Sequence, residues 1–400
     1  MSARIICNVI KFLFVAALGA AGYWSIRLGL ADSQFRANTS ASVARAVELD
    51  PENAGYHAWL AEIREHEGSD PDGEFEIASR LNPSDSALWI RRALRAEGRR
   101  DFHRAEQLYL QAARIDRLYA PRWAVANYYA RIGDAGKFWP WARQALQIGY
   151  GDLSPLFRLC WSLTDDAELI RSKAIHPLPA ILRKYLAFLT QQDHLDAAAP
   201  IARSLIAQAD ADDTATLLRY CDRLIERKRS QEAVSVWNAL SERRLLALPS
   251  LAPDRGLSLT NGNFQSEPLQ QAFDWRTSAE PEISVTRSDS PAALRFHLSG
   301  KQPEHCELLS QFIPLAPGRE YSFRLEYKTA LRAHSGLRWR VGDLAQSDEL
   351  GGADWTWQQF TFRSATSSLE RLWLAYDRAP GETRAEGEIW LRNATIELVK

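Results

Sequence analysis

Two periodicities divide the chain. From about residue 38 to 248, apolar residues recur at helical spacing, as in Tyr185, Leu186, Phe188 and Leu189, or Ala233, Val236, Trp237 and Leu240. Steps of three and four put such residues on one helix face. Beyond residue 257 the period becomes two. Leu294, Phe296 and Leu298 alternate with Arg295 and His297. Tyr321, Phe323, Leu325 and Tyr327 alternate with Ser322, Arg324, Glu326 and Lys328. Leu337, Trp339 and Val341, then Phe360 and Phe362, then Leu372, Leu374 and Tyr376 repeat the pattern. These are strands with one wet face. Pro317-Gly318, Gly351-Gly352 and Pro380-Gly381 supply turns. About eight strands over 257–400 predict an antiparallel β-sandwich, with a jelly roll as the expected form. Leu248 to Gly256, with Pro249, Pro253 and Gly256, reads as a linker over 249–256.

The helical part repeats itself. Leu49-Asp50-Pro51, Leu81-Asn82-Pro83 and Ile115-Asp116-Arg117 each end one amphipathic segment and open the next. His57, Trp89 and Trp123 each follow six residues after position 51, 83 or 117. A period near 33 residues predicts stacked helix pairs, hence an α-solenoid over 38–248. Pro140 falls inside a second helix and is expected to start or kink it. The register loosens after Gly149, with breaks at Ser154-Pro155 and His176-Pro177-Leu178-Pro179.

Residues 1–31 form a separate segment. Ile5 to Ile26 is mostly apolar, with Lys11 placed to snorkel and Tyr23-Trp24 placed for an interfacial belt. Its length suits a membrane-spanning signal anchor over residues 5–26. Cleavage near Gly19-Ala20-Ala21 is the alternative. Arg4 and Lys11 favour an inside N-terminus, which would put the rest of the chain outside the inner membrane. A single-pass protein with its bulk in the periplasm is expected.

Composition narrows the functional classes. A formal net charge of −1 gives no basic footprint for nucleic acid. The four Cys (7, 160, 221 and 306) show no CxxC spacing, so zinc or dithiol chemistry is not expected, and Cys160 and Cys221 read as small buried hydrophobes. No GxSxG, HExxH or phosphate-binding Gly-rich loop occurs. His305-Cys306 are neighbours on a strand and point to opposite faces, so they do not form a nucleophile pair. Neither catalysis nor a cofactor is expected.

Trp89, Ala93, Ala105, Tyr109 and Ala112 match the large and small positions of the tetratricopeptide repeat, which this stretch resembles. Arg92 and Arg117 depart from its usual Leu and Pro. The resemblance implies a concave groove for a protein partner, with Glu62, Glu65, Ile90, Glu97, Tyr128 and Arg131 as candidate lining. A second resemblance rests on Leu259-Thr260-Asn261-Gly262-Asn263-Phe264-Gln265, Phe273-Asp274-Trp275, Gln311 to Leu315, and the closing Ile389 to Leu398. It is to galactose-binding-like jelly rolls used as carbohydrate-binding modules, and it implies a glycan ligand. Those modules often hold a structural calcium where this chain has Gln265 and Arg392-Asn393. An Arg there argues against a divalent cation, so no metal is expected.

Strand alternation nominates Trp373, Trp390, Arg324, Arg338, Arg340 and Glu326 as an outward glycan platform. Trp275, Trp339 and Trp357 are assigned to the core. Taken together, the chain is similar to repeat proteins associated with bacterial exopolysaccharide or O-antigen assembly. A non-enzymatic envelope scaffold is expected, with protein in the repeat groove and glycan on the sandwich. A periplasmic assembly factor that binds only proteins is the alternative.

Overall fold

A computed structural model describes residues 3–332, 335–366 and 368–399, with side chains from residue 8 onward except that of residue 9. Fourteen α-helices and ten strands lie among the described residues. The chain forms two compact units, Met1–His176 and Pro177–Lys400. The division falls at the His176-Pro177 break, inside the stretch expected to be one solenoid.

The first unit is helical. Helix α1 (Ala3–Arg36) carries the apolar stretch, and Phe12, Phe14, Trp24 and Ile26 all stand exposed. Ile10–Arg36 is long and apolar enough to cross a membrane. Beyond Arg27 the same helix changes role. Ala31 is buried, and Arg27 reaches the carbonyl of Glu48 at 3.5 Å on α2 (Ser40–Leu49). Thr39 and Ser42 form a capping box that starts α2 right after α1 ends. The Phe35 ring meets Tyr56 at 4.8 Å, and Trp59 Nε1 donates to Asn38 Oδ1 at 2.6 Å. The apolar helix thus runs unbroken into the first helix pair.

Three further pairs follow: α3 (Ala54–His66) with α4 (Asp72–Leu81), α5 (Ser86–Gly98) with α6 (Phe102–Ile115), and α7 (Tyr119–Arg131) with α8 (Ala135–Ile148). Close approach depends on small residues: Ala61, Ala78, Ala93, Ala105 and Ala112 are buried at the helix contacts. The repeated ring position has one job in two pairs. Trp89 Nε1 donates to the Pro83 carbonyl at 3.0 Å, and His57 Nε2 lies 3.0 Å from the Pro51 carbonyl oxygen. Each ring ties its helix to the corner before it. Pro140 sits within the early part of α8, where Asp134 caps the first turn through the Lys137 N–H. Two shorter helices, α9 (Ser154–Leu163) and α10 (Ala167–Lys173), close the unit. Cys160 is buried and free.

The second unit joins helices to a β-sandwich. Its helices are α11 (Pro179–Gln191), α12 (Leu195–Ile206), α13 (Ala211–Glu226) and α14 (Ser230–Glu242). Cys221, on α13, is also buried and free. The connecting segment after α14 is fixed in place. Asn238 exchanges two hydrogen bonds with the Leu251 backbone, at 2.8 and 2.7 Å, and Trp237 Nε1 donates to the Pro249 carbonyl at 3.0 Å. Trp237 packs edge-on against Phe273 at 6.0 Å. On α13, Asp222 accepts from Arg276 at 2.5 Å and from the Ala272 N–H at 2.7 Å.

The strands are β1 (Arg276–Thr277), β2 (Ile283–Asp289), β3 (Ala292–Ser299), β4 (His305–Pro314), β5 (Glu320–Arg332), β6 (Leu337–Val341), β7 (Ala345–Gln346), β8 (Thr356–Arg363), β9 (Leu369–Asp377) and β10 (Glu386–Leu398). They form two five-stranded sheets, β1-β4-β9-β6-β7 (sheet I) and β2-β3-β10-β5-β8 (sheet II), with every pairing antiparallel. Two strands have only two residues, too short for alternation to reveal them. The inner faces meet in one core that includes Trp275, Trp339, Phe296, Phe323, Leu374 and Ile389. Gly318 and Gly381, in the expected turns, have φ of 69° and 85°, a region glycine enters without strain.

Candidate functional site

Strand parity builds the outer face of sheet II. On β5, Phe323, Leu325 and Tyr327 are buried, so Arg324, Glu326 and Lys328 point outward. On β10, the inward residues Ile389 and Leu391 leave Trp390 and Arg392 outside. Register sets these residues side by side. Trp390 lies opposite Arg295 of β3 and Lys328 of β5, while Glu326 lies opposite Arg392 of β10 and Trp357 of β8.

Each aromatic ring on this face meets a cation. The Arg324 Cζ lies 3.8 Å from the Trp357 ring centroid, and the Arg392 Cζ lies 3.8 Å from that of Trp355. Lys328 Nζ sits between two rings, 4.3 Å from Trp390 and 5.5 Å from Trp355. Such contacts are each worth about 0.5–1 kcal/mol at exposed sites. Glu326 accepts two parallel bonds from Arg392, both 2.7 Å, and a third from Asn393 Nδ2 at 3.1 Å. The Arg392 hydrogen bond, helped by Asn393 and by the nearby charge of Arg324, holds the Glu326 carboxyl below the usual range. The charged fork thereby fixes the two central strands next to the rings. A bulge between Arg392 and Thr395 carries Asn393 at φ 53°, and this turns its amide toward Glu326.

The six nominated platform residues fall on two faces. Trp390, Arg324 and Glu326 belong to the outer face of sheet II. Trp373, Arg338 and Arg340 belong to the outer face of sheet I, where Trp373 stands in register between Ser310 and Arg340. The core lies between, and the outer faces of stacked sheets point opposite ways. They do not make one surface. On sheet I the cations have carboxylate partners: Arg340 with Asp377 at 2.7 Å, Arg338 with Glu349 at 3.5 Å and Arg371 with Glu307 at 2.6 Å.

Trp357 corrects the core assignment. Trp275 and Trp339 are fully buried, but Trp357 is 45% exposed. Phe362 is buried and Phe360 is half-buried against the same core. Counting back from them in twos reaches 358, so 357 faces out. Trp355 precedes β8 and has no alternation to place it, which is why the periodicity missed it.

In the helical repeats the charged groove candidates all sit in ion pairs, of which only Glu97 with Arg131 joins two candidates. Glu62 meets Arg91 at 3.1 Å, Glu65 meets Arg95 at 2.8 Å and Glu97 meets Arg131 at 2.6 Å. Each ion pair joins one first helix to the next, α3 to α5 or α5 to α7. Ile90 is half-buried on α5. Tyr128 is not surface lining. It is buried, its hydroxyl donates to the Phe102 carbonyl at 2.8 Å, and burial pushes its pKa up. Helix α7 packs on more than one side, with Val125, Ala126, Tyr128 and Tyr129 all covered, so position 128 meets α6. Glu97 also accepts from the Tyr109 hydroxyl at 3.0 Å, and the Tyr109 ring lies 5.0 Å from Tyr128.

Gln265 and Asn393 both line a cavity of about 430 Å³ beside Gly262 and Thr395. Neither brings a carboxylate there, and the adjacent Arg392 holds Glu326. Among the described residues no group of three or more His, Cys, Asp or Glu side chains is arranged to hold a metal ion.

No family model matches this sequence, and no curated protein matches it. Solved structures do. One described as "CBM4 structure and function" is 15% identical and covers 36% of this chain and 100% of its own, with a TM-score of 0.27. PilF of Pseudomonas aeruginosa is 14% identical over 56% of this chain and 93% of its own, with a TM-score of 0.28. YrrB, described as a TPR protein with an unusual peptide-binding site, is 12% identical over 52% of this chain and 94% of its own, with a TM-score of 0.25.

Proposed function

We propose that this chain is a non-enzymatic envelope scaffold that takes a protein partner along its helical repeats and a glycan on the outer face of sheet II, in the assembly or export of a polysaccharide. One observation carries the glycan half: Trp355, Trp357 and Trp390 meet on a single outward face, with Arg324, Lys328 and Arg392 among them. A flat ring that is partly open, with hydrogen-bond donors at its rim, suits a pyranose, whose C–H face is apolar and whose hydroxyls are not. The burial of an aromatic anchor beside polar groups is how compact sites gain affinity. Trp373, Arg338 and Arg340 would then hold sheet I together rather than bind sugar.

The protein half rests on the repeat architecture, with the ladder of Glu62, Glu65, Glu97 and Arg131 as the surface a partner would meet. The apolar part of α1 would anchor the chain in the inner membrane, with the bulk in the periplasm. Equilibrium binding of the detergent-solubilised full chain to a panel of bacterial oligosaccharides tests the glycan half. Retention that is lost in Trp357→Ala and Trp390→Ala supports it; retention unchanged in both variants, or none at all, overturns it.

A further inference from the structure

Around the indole rings, the outer face of sheet II carries an excess of cations. Arg295, Arg324, Lys328 and Arg392 stand there with Glu326 and Glu388, while toward the strand ends Arg332 pairs with Glu386. Arg392 is held by Glu326, and Arg295 is paired with Glu388. Arg324 and Lys328 have no carboxylate within ion-pair distance among the described residues. Both instead sit over indole rings, Arg324 on Trp357 and Lys328 on Trp390. The two cations flank Glu326 on the outward side of one strand, and Glu326 already accepts from Arg392 and Asn393. Among the described residues neither cation has an ion-pair partner on this face, and an anionic ligand would supply one. The outer face of sheet I differs, since Arg338, Arg340 and Arg371 there each have an acid.

We infer that sheet II selects acidic glycans, with sugar rings stacking on Trp357 and Trp390 while ring carboxylates pair with Arg324 and Lys328. This deepens the glycan reading above and rests on it. A uronic acid suits the arrangement because its carboxylate projects from the same ring that stacks. A guanidinium fork matches a planar carboxylate in two parallel bonds, and an ammonium supplies a point charge. Successive outward residues on a strand lie about 7 Å apart, so Arg324 and Lys328 are roughly 13–14 Å apart along β5 by strand geometry. Charges at that spacing suit an extended oligomer with acidic residues at intervals better than one monosaccharide. A neutral glycan could stack on the same rings but would leave the two cations without a counter-charge.

The test uses the full chain in detergent with three kinds of probe. The first is a panel of oligouronates (galacturonate, mannuronate and glucuronate) about six residues long. The second is the carboxyl-reduced, neutral form of each. The third is poly-glutamate, which carries carboxylates without sugar rings. The expected result is binding of at least one oligouronate, weakened about tenfold by Arg324→Gln and again by Lys328→Gln, and falling steeply with added salt. Both side chains are on the surface, so unchanged thermal unfolding of the variants is expected to show that the fold is intact. Equal binding of the reduced oligosaccharide overturns the selectivity for acid and leaves the glycan reading standing. Equal binding of poly-glutamate overturns the role of the sugar ring. Absence of binding to any saccharide, charged or neutral, overturns both readings.

Discussion

Trp357 and Trp339 are the same residue type on neighbouring stretches of one sandwich, and their parity separates them. Trp339 lies inside, 5.0 Å from Phe323 and 6.1 Å from Trp275, while Trp357 lies outside beneath Arg324. Trp339→Ala is expected to cost about 3–5 kcal/mol of stability, as large core truncations do. Trp357→Ala is expected to cost only about 1 kcal/mol, mainly its contact with Arg324, yet to lose glycan binding. Thermal unfolding and a binding isotherm on each variant check both. A further residue-scale prediction concerns pH. Arg392 holds Glu326 below the usual carboxyl range, so the stabilising contribution of this pair is fully present above the ordinary Glu pKa. It is lost as pH falls through the lower, folded-state value. Arg392→Gln should therefore flatten the acid side of the stability–pH curve, which denaturant unfolding at several pH values would show. The alternation around Phe360 and Phe362 already held the outward direction of Trp357. What it could not hold was Trp355, which lies outside any strand, or the meeting of rings and cations from β5, β8 and β10. Register between strands distant in sequence sets that meeting.

At the scale of elements, boundaries were harder to read than identities. The helical period and the two-residue period placed helices and strands well, because each is a local pattern. The segment 249–256 reads as a linker because its two prolines and closing glycine break both periods, but Asn238 and Trp237 bind its backbone. No local signal announces that capture, since the partner groups belong to a preceding helix. Asn238→Ala should cost about 1–3 kcal/mol, because it leaves the buried Leu251 backbone without its partners. For the same reason residues 257–400 alone should unfold at a lower temperature than 177–400, which retains α13 and α14 with Asp222 on Arg276. Differential scanning calorimetry of the two fragments compares them directly. Helix α1 offers the converse case. Its apolar run and its first repeat surface are one uninterrupted helix, so the composition shift near Arg27 marks a change of surroundings rather than an end of the element.

At the scale of the whole molecule, the chain divides into two compact units at His176-Pro177, a break visible in the sequence as two prolines two residues apart. It reads there as a pause in one solenoid, because only long-range packing shows that the later helices belong with the sandwich. Helix α1 is expected to remain uncleaved: mass spectrometry of the membrane fraction should recover peptides that begin before Gly19, and a mature N-terminus near Ala21 would contradict this. The outer face of sheet II is proposed to meet a glycan in the cell. A photo-crosslinking amino acid placed at position 357, with position 373 on sheet I as the control, tests it most directly. A saccharide-bearing adduct is expected at 357 and none at 373. Adducts at 357 that contain only protein, or saccharide captured equally at both positions, would contradict it.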